Sequence, residues 1–167
     1  MATSVAVRVA RESDATDLAS LTEQLGYRVT PAELRSRLSR ILPRSDQRFV
    51  VAEHAQQVVG WLHALVVEYV ETNPFVVIGG LVVERRSRQQ GIGRTLLEDA
   101  ETWAKEQRCS IVRLWSSVGR AGAHRFYERL GYTNVKTQYS FVKSLTPDRA
   151  RELSQFIPQI DTEVMEE

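Results

Sequence analysis

The chain has 167 residues, 43% of them hydrophobic and 26% charged, which is ordinary globular composition with enough length for one domain around a proper core. Lysine and arginine number 22 against 21 aspartates and glutamates, so the formal net charge of +1 gives no bulk attraction to nucleic acid or an anionic membrane; any basic site has to be a local cluster. The single cysteine, Cys109, excludes an intramolecular disulfide and a zinc site built on several thiolates, fits a reducing compartment, and reads as a small buried hydrophobe.

Val5, Val7 and Val9 alternate with Ala6 and Arg8 as in a short strand, and Ser13-Asp14 then offers a cap for a helix carrying Leu18, Leu21 and Leu25, which Gly26 stops. Thr30-Pro31-Ala32-Glu33 is a capping box with proline at the first helical position, opening a second helix with Leu34, Leu38, Ile41 and Leu42 on one stripe. Arg35, Arg37, Arg40 and Arg44 around that stripe read as a solvated face. From Arg48 the β-branched and aromatic residues predict strands near 48–53, 57–67 and 74–83, an antiparallel meander whose second turn is marked by Asn73-Pro74. The apolar stretches 58–67 and 75–83 fall short of the roughly 20 residues that span a bilayer, and the N-terminus lacks the basic start and apolar run of a secretion signal, so a cytoplasmic protein with no membrane partner is expected.

After the third of these strands the period changes. Ile92, Leu96, Leu97, Ala100, Trp103 and Ala104 fall on one helix face, and 111–115 reads as a buried strand. A shorter helix follows with Ala123, Phe126, Tyr127 and Leu130, ended by Gly131 as a left-handed cap before a last strand over 132–142. Thr146-Pro147-Asp148 would open one more helix with Leu153, Phe156 and Ile157 on a face, ahead of a frayed end over 163–167.

The most informative stretch is 81–97, where the strand Leu81-Val82-Val83 runs through a basic turn into a helix whose start holds Gly91 and Gly93. Glycine permits close approach there, and the unpaired N–H groups of a helix start point at an anion. Arg85, Arg86, Arg88 and Arg94 add positive charge, so the turn suits a pyrophosphate, although a tight strand-to-helix turn would also want both glycines. No Gly-Lys pair exists for a P-loop, and Leu96 stands where the dinucleotide fingerprint wants glycine or alanine.

Arg88-Gln89-Gln90-Gly91-Ile92-Gly93 resembles the R/Q-x-x-G-x-G/A pyrophosphate motif of the GNAT superfamily of acyl-CoA-dependent N-acetyltransferases. The resemblance extends to the flanking strand and helix and to Ala123-His124-Arg125-Phe126-Tyr127-Glu128-Arg129-Leu130-Gly131-Tyr132, and it covers about residues 5–143. It implies an α/β fold with a mixed sheet in the order β-α-α-β-β-β-α-β-α-β, a V-shaped splay between strands four and five, a GNAT domain over 1–143 and an extension over 144–167. It also implies acetyl-CoA as cosubstrate, an amine acceptor attacking directly, and a homodimer, with neither metal nor nucleic acid. A non-catalytic acyl-CoA-binding or regulatory module is the alternative.

By the same resemblance, the backbone of Leu81, Val82 and Val83 would hold the pantetheine arm, while Arg88, Gln89, Gln90, Gly91, Ile92, Gly93, Arg94 and Thr95 would hold the pyrophosphate. Tyr127 matches the tyrosine that commonly protonates the departing thiolate. A phenol titrating near 10 is a fit donor to a thiolate whose thiol titrates near 8.5. Two departures stand out: Val77 occupies the position where some members carry a basic glutamate, and Arg120 replaces an asparagine seven residues before the tyrosine. The base is therefore left open among Glu68, Glu71, Glu84, His63 and water. Gly79-Gly80 predicts a bulge or a close approach. Glu68 and Glu71 would suit a cationic acceptor, whereas the arginine-bearing second helix would suit an acidic one.

Overall fold

Valine, isoleucine and aromatic residues crowd the sequence after Arg48, and they form the middle of a five-stranded sheet in the order β1-β2-β3-β4-β5. The strands are β1 (Ala6–Val9), β2 (Gln47–His54), β3 (Gln57–Tyr69), β4 (Thr72–Val83) and β5 (Val112–Leu114). The first four pair antiparallel; β5 lies parallel to β4. Helices α1 (Ala15–Gln24) and α2 (Pro31–Ile41) precede β2, α3 (Ile92–Glu106) joins β4 to β5, and α4 (Ala121–Arg129) follows. The computed structural model describes residues 5–147 with Leu153, Ser154 and Phe156. It divides into two compact units, Met1–Gln24 with Arg28–Trp115 and Leu25–Tyr27 with Ser116–Glu167.

The core of the first unit is built from the expected faces. Leu18, Leu38, Val50, Val51, Leu62, Val76, Ile92, Leu96 and Leu97 are fully enclosed, and α3 buries the six residues its periodicity predicts. Gly60 lets this helix come close to β3, since a Cβ there would stand 2.9 Å from the Val82 carbonyl oxygen and 3.3 Å from a Leu96 methyl. Arg48 on β2 ties the same helix to the sheet through two hydrogen bonds to Asp99, at 2.6 and 2.8 Å. At α2 the capping box forms as its residues predict: Thr30 Oγ1 accepts from Glu33 N–H, and Glu33 Oε2 accepts from Thr30 N–H.

Four expectations are corrected. Asn73-Pro74 lies inside β4, because the hairpin turns three residues earlier at 70–71 with Tyr69 opposite Thr72; Pro74 falls beside the irregular step of the ladder between Val67 and Tyr69. The strand over 111–115 is an edge, not a buried strand: only 112–114 pair, Ile111 and Trp115 are exposed, and Arg113 lies over the rings of Phe75 and Trp115. No strand forms over 132–142. Its alternation is present, but Val135, Tyr139 and Phe141 are 77%, 92% and 92% exposed, and a strand pattern takes hold only where one face is covered and a neighbour completes the ladder. Asp14 does not cap α1 as a simple N-cap; it ends a short 3-10 turn, Glu12–Asp14, and accepts from the Arg11 N–H at 2.7 Å. The helix expected from Thr146-Pro147-Asp148 and the frayed end lie largely outside the described residues; of those described there, Leu153 and Ser154 are helical.

Asp14 is 7% exposed and grips Arg8 of β1 through two hydrogen bonds of 2.9 Å, while Arg8 also donates to Glu53 of β2 at 2.8 Å. Burial pushes the Asp14 carboxyl upward, but the hydrogen bonds from Arg8 and the Arg11 N–H outweigh it, so its pKa lies below the usual range. A depressed folded value supplies stability that is complete above the unfolded pKa and lost as pH falls through the folded one. Asp14→Asn is expected to cost about 2 kcal/mol at neutral pH, because Arg8 loses the bidentate one of its two carboxylate partners and keeps only Glu53. It should also flatten the acid limb of the stability curve below about pH 4. Thermal melts from pH 2 to 7 check both; equal melting of the two proteins throughout would contradict this.

Candidate functional site

The site begins with a change of step in β4. Up to Ile78 the strand lies between β3 and β5, and Val76 N–H donates to the Ile111 carbonyl on the β5 side. Gly79 is then skipped in the β3 register, where Ala64 faces Ile78 and His63 faces Gly80. One extra residue reverses which residues turn toward which neighbour. Beyond it Glu84 N–H donates to Val59 of β3, so Val82 also faces β3, and Leu81 and Val83 turn their backbone groups to the opposite side. β5 pairs with β4 only over 76–78, so on that side the strands have parted and Leu81 and Val83 form an edge with no strand beside it.

The chain leaves β4 through Glu84, whose carboxylate accepts from Arg86 N–H at 2.7 Å and caps a short turn over Arg85–Ser87. Arg88 folds back and donates to the Val83 carbonyl at 3.1 Å. Gln89 at φ +61 and Gly91 at φ +81 are both left-handed, the kind of backbone from which anion-binding turns are built. Thr95 is the first residue of α3 whose N–H finds a helix-type partner, the Gly91 carbonyl at 3.0 Å; those of Ile92, Gly93 and Arg94 have none by the geometry of a helix start. A Cβ on Gly91 would project into open space. Arg85, Arg86 and Arg94 surround the turn, with Arg94 also pairing with Glu98 on the helix surface. Open backbone donors, a helix N-terminus and clustered guanidinium groups are the chemistry that attracts a phosphate group.

On the sheet face beside the Gly79 bulge stand Phe49, Trp61 and His63, with Phe49 stacked on Trp61 and tilted against His63 at 5.4 Å in each case. Trp61 is 8% exposed, and its indole N–H has no partner among the described residues. His63 is half-buried and hydrogen-bonded through Nε2 to Gln47 Oε1 at 2.9 Å; burial lowers its pKa below the ordinary 6.5. Glu68 and Glu71 sit at the far end of the hairpin. At about 3.3 Å per residue, Glu68 lies roughly 16 Å along β3 from His63, and Glu71 roughly 26 Å along β4 from Gly79. In the second unit, Tyr127 on α4 packs against Phe126 and Tyr132, and Gly131 closes the helix at φ +90 with Tyr132 N–H bonded to the Tyr127 carbonyl. Burial raises the Tyr127 phenol, opposed by the charge of Arg120 at the helix start.

The Acetyltransferase (GNAT) family matches the chain over residues 15–132, a span that includes the parted strands and the glycine turn. The chain belongs to this family. Among similar proteins, an uncharacterized N-acetyltransferase of Methanocaldococcus jannaschii is 31% identical over 94 residues, 55% of this chain and 42% of the relative. The aminoglycoside N(6')-acetyltransferase type 1 of Serratia marcescens is 27% identical over 45% of this chain and 51% of its own length. The chain thus spans about half or less of these curated relatives. The fold is shared with the apo crystal structure of an aminoglycoside 6'-N-acetyltransferase from Acinetobacter haemolyticus, at a TM-score of 0.73 and 22% identity over 84% of this chain and 99% of that one. It is shared too with an aminoglycoside N-acetyltransferase in complex with CoA, at a TM-score of 0.77 and 17% identity over 86% and 97%.

In this GNAT chain the residues expected to bind the cofactor form one continuous path, from Leu81, Val82 and Val83 through Arg88, Gln89 and Gln90 to Gly91, Ile92, Gly93, Arg94 and Thr95. Of the candidate bases, Glu84 is engaged as a turn cap, Glu68 and Glu71 are remote from the bulge, and His63 is beside it. Gln47, Phe49 and Trp61 escaped sequence reasoning. The alternation of β2 and β3 placed them on one face, but only the register shows that this face meets the bulge. Among the described residues no cluster of three or more His, Cys, Asp or Glu is gathered to hold a metal. A Cβ on Gly80 would stand 2.6 and 2.7 Å from two carbons of the Trp61 ring, which Phe49 holds from one side. Gly80→Ala is expected to displace the indole and cost about 2 kcal/mol. Tryptophan fluorescence and a melt check it, and an unchanged emission maximum with unchanged melting would count against the packing described.

Proposed function

We propose that the chain is an N-acetyltransferase that moves an acetyl group from acetyl-CoA to a primary amine of a small molecule or peptide by direct attack. The observation that carries this reading is the adjacency of two backbone devices within the first unit. Leu81 and Val83 of β4 have no strand beside them, and the free N–H groups of Ile92, Gly93 and Arg94 stand at the start of α3 after a short turn with Gln89 and Gly91 left-handed. An extended amide-bearing arm followed by a pyrophosphate fits that order, and acetyl-CoA supplies the activated acyl group there. Arg85, Arg86 and Arg88 add charge where the phosphates would lie. Tyr127 is proposed as the acid that protonates the departing thiolate, and its raised pKa keeps the phenol protonated at neutral pH. The same reading includes a cytoplasmic location and a homodimer, for which the exposed apolar side chains of Val135, Tyr139 and Phe141 offer contact area.

For the acceptor, the exposed Glu68 and Glu71 and the aminoglycoside acetyltransferases among its relatives favour a polycationic amine. One observation favours a second reading, an acyl-CoA-binding module without transfer. Val77, at 4% exposure, stands where some family members carry a basic glutamate. Release of CoA thiol from acetyl-CoA in the presence of neamine, spermidine and an N-blocked lysine peptide separates the two. Binding without transfer to any of them supports the module. Gly91→Asp is expected to abolish stabilisation by CoA in a thermal-shift assay, because it places a charge and an unfavourable φ in the anion cradle. Tyr127→Phe should lower kcat by about 10²-fold with CoA affinity retained. An undiminished rate would exclude Tyr127 as the acid.

A further inference from the structure

The carboxylate that some family members carry is absent at Val77, and the neighbouring strand holds a different group able to accept a proton. His63 of β3 faces Gly80 across the ladder, and its Nε2 meets Gln47 Oε1 of β2 at 2.9 Å. A carboxamide oxygen can only accept, so Nε2 carries the ring hydrogen and Nδ1 keeps its lone pair. Nδ1 has no hydrogen-bond partner among the described residues, and it faces the bulge: a Cβ on Gly79 would lie 3.7 Å from it. Glycine at 79 therefore leaves the approach to this nitrogen open. Leu81, the first residue of the edge with no strand beside it, is two positions further, about 7 Å of strand.

We propose that His63 is the catalytic base of the acetyl transfer, taking the acceptor's proton at Nδ1, with Gln47 as the positioning residue that fixes the tautomer. This rests on the acetyltransferase reading above. The acceptor ammonium gives one proton to Nδ1, and the neutral nitrogen bonds to the thioester carbonyl carbon. The C–S bond then breaks with its electron pair on sulfur. As the new C–N bond becomes an amide, nitrogen sheds one of its two remaining protons and sulfur takes one up through the proposed acid; His63 returns its proton to solvent. Phe49 and Gln47 from β2, Gly79 and Gly80 from β4, and Leu65 on its own strand surround the bulge side of the ring without a charge. Burial is the sole resolved cause of its shift, and it keeps the imidazole neutral and able to accept at neutral pH.

Long-range nitrogen–proton NMR of the intact protein should show His63 as the Nε2–H tautomer at pH 7, and Gln47→Leu should mix in the other. A predominant Nδ1–H form in the wild type would overturn the proposal. With acetyl-CoA and the three acceptors named above, His63→Ala should lower kcat by about 10²-fold, leave KM for acetyl-CoA unchanged and regain rate with added imidazole. The wild-type rate should fall as pH drops through the lowered His63 pKa, and the variant should lack that limb. A loss that is uniform across pH and not rescued by imidazole would mark a structural role and overturn the assignment. Gly79→Ala makes only ordinary contact with the ring, so it should keep its melting temperature and lose turnover; full turnover would also overturn the proposal. Wild-type protein that binds no acetyl-CoA by calorimetry would remove the acetyltransferase reading itself, whereas wild-type turnover matched by His63→Ala would remove this inference alone.

Discussion

The single extra residue at Gly79 governs the architecture around the site. A β-strand has two sides, and a residue's backbone can serve only one of them at a time. Before the bulge, Val76 and Ile78 serve β5 and complete the sheet; after it, Leu81 and Val83 face outward while Val82 and Glu84 continue to serve β3. The strand is fully integrated at one end and half-open at the other without any loss of pairing to β3. That allows a rigid element, anchored by buried Phe75, Val76, Val77 and Ile78, to offer hydrogen-bonding groups to a ligand.

The chemistry offered along this path is mainly that of the backbone. The glycine turn presents N–H groups, the strand edge presents alternating donors and acceptors, and side chains add charge at the margins through exposed arginines. α3 is held for this purpose by its buried stripe and by the Arg48–Asp99 pair, a bidentate contact in the third turn that fixes the helix against β2. The fold itself is shared at TM-scores above 0.7 by chains with 17–22% identity.

What could be read from the sequence was local, and what could not was relational. The Thr30–Glu33 capping box, the α3 stripe and the left-handed Gly91 and Gly131 are decided within a few residues of themselves, and each formed as its residues dictate. β5 and the segment 132–142 show the limit. Both carry the alternation of a strand, yet pairing depends on a neighbour far along the chain; the first became a three-residue edge and the second formed no ladder. His63 is the sharpest case. In sequence it was one histidine in an apolar run. Its contact with Gln47, sixteen positions away, and its place beside a glycine of the adjoining strand are visible only in the fold.

The bulge also sets how the chain can vary in length. The hairpin tip at 70–71 lies outside the sheet's buried part, with Val70 and Glu71 exposed, so residues can be added or removed there while the flanking ladders persist. Around Gly79 the situation is reversed. Removing one residue would return Leu81 and Val83 to β3 and turn Val82 outward, exchanging inner and outer groups along the whole edge; adding one would do the same. Residue count is thus free at the hairpin tip and fixed between the bulge and the glycine turn, where one residue more or less would exchange the inner and outer backbone groups of the edge.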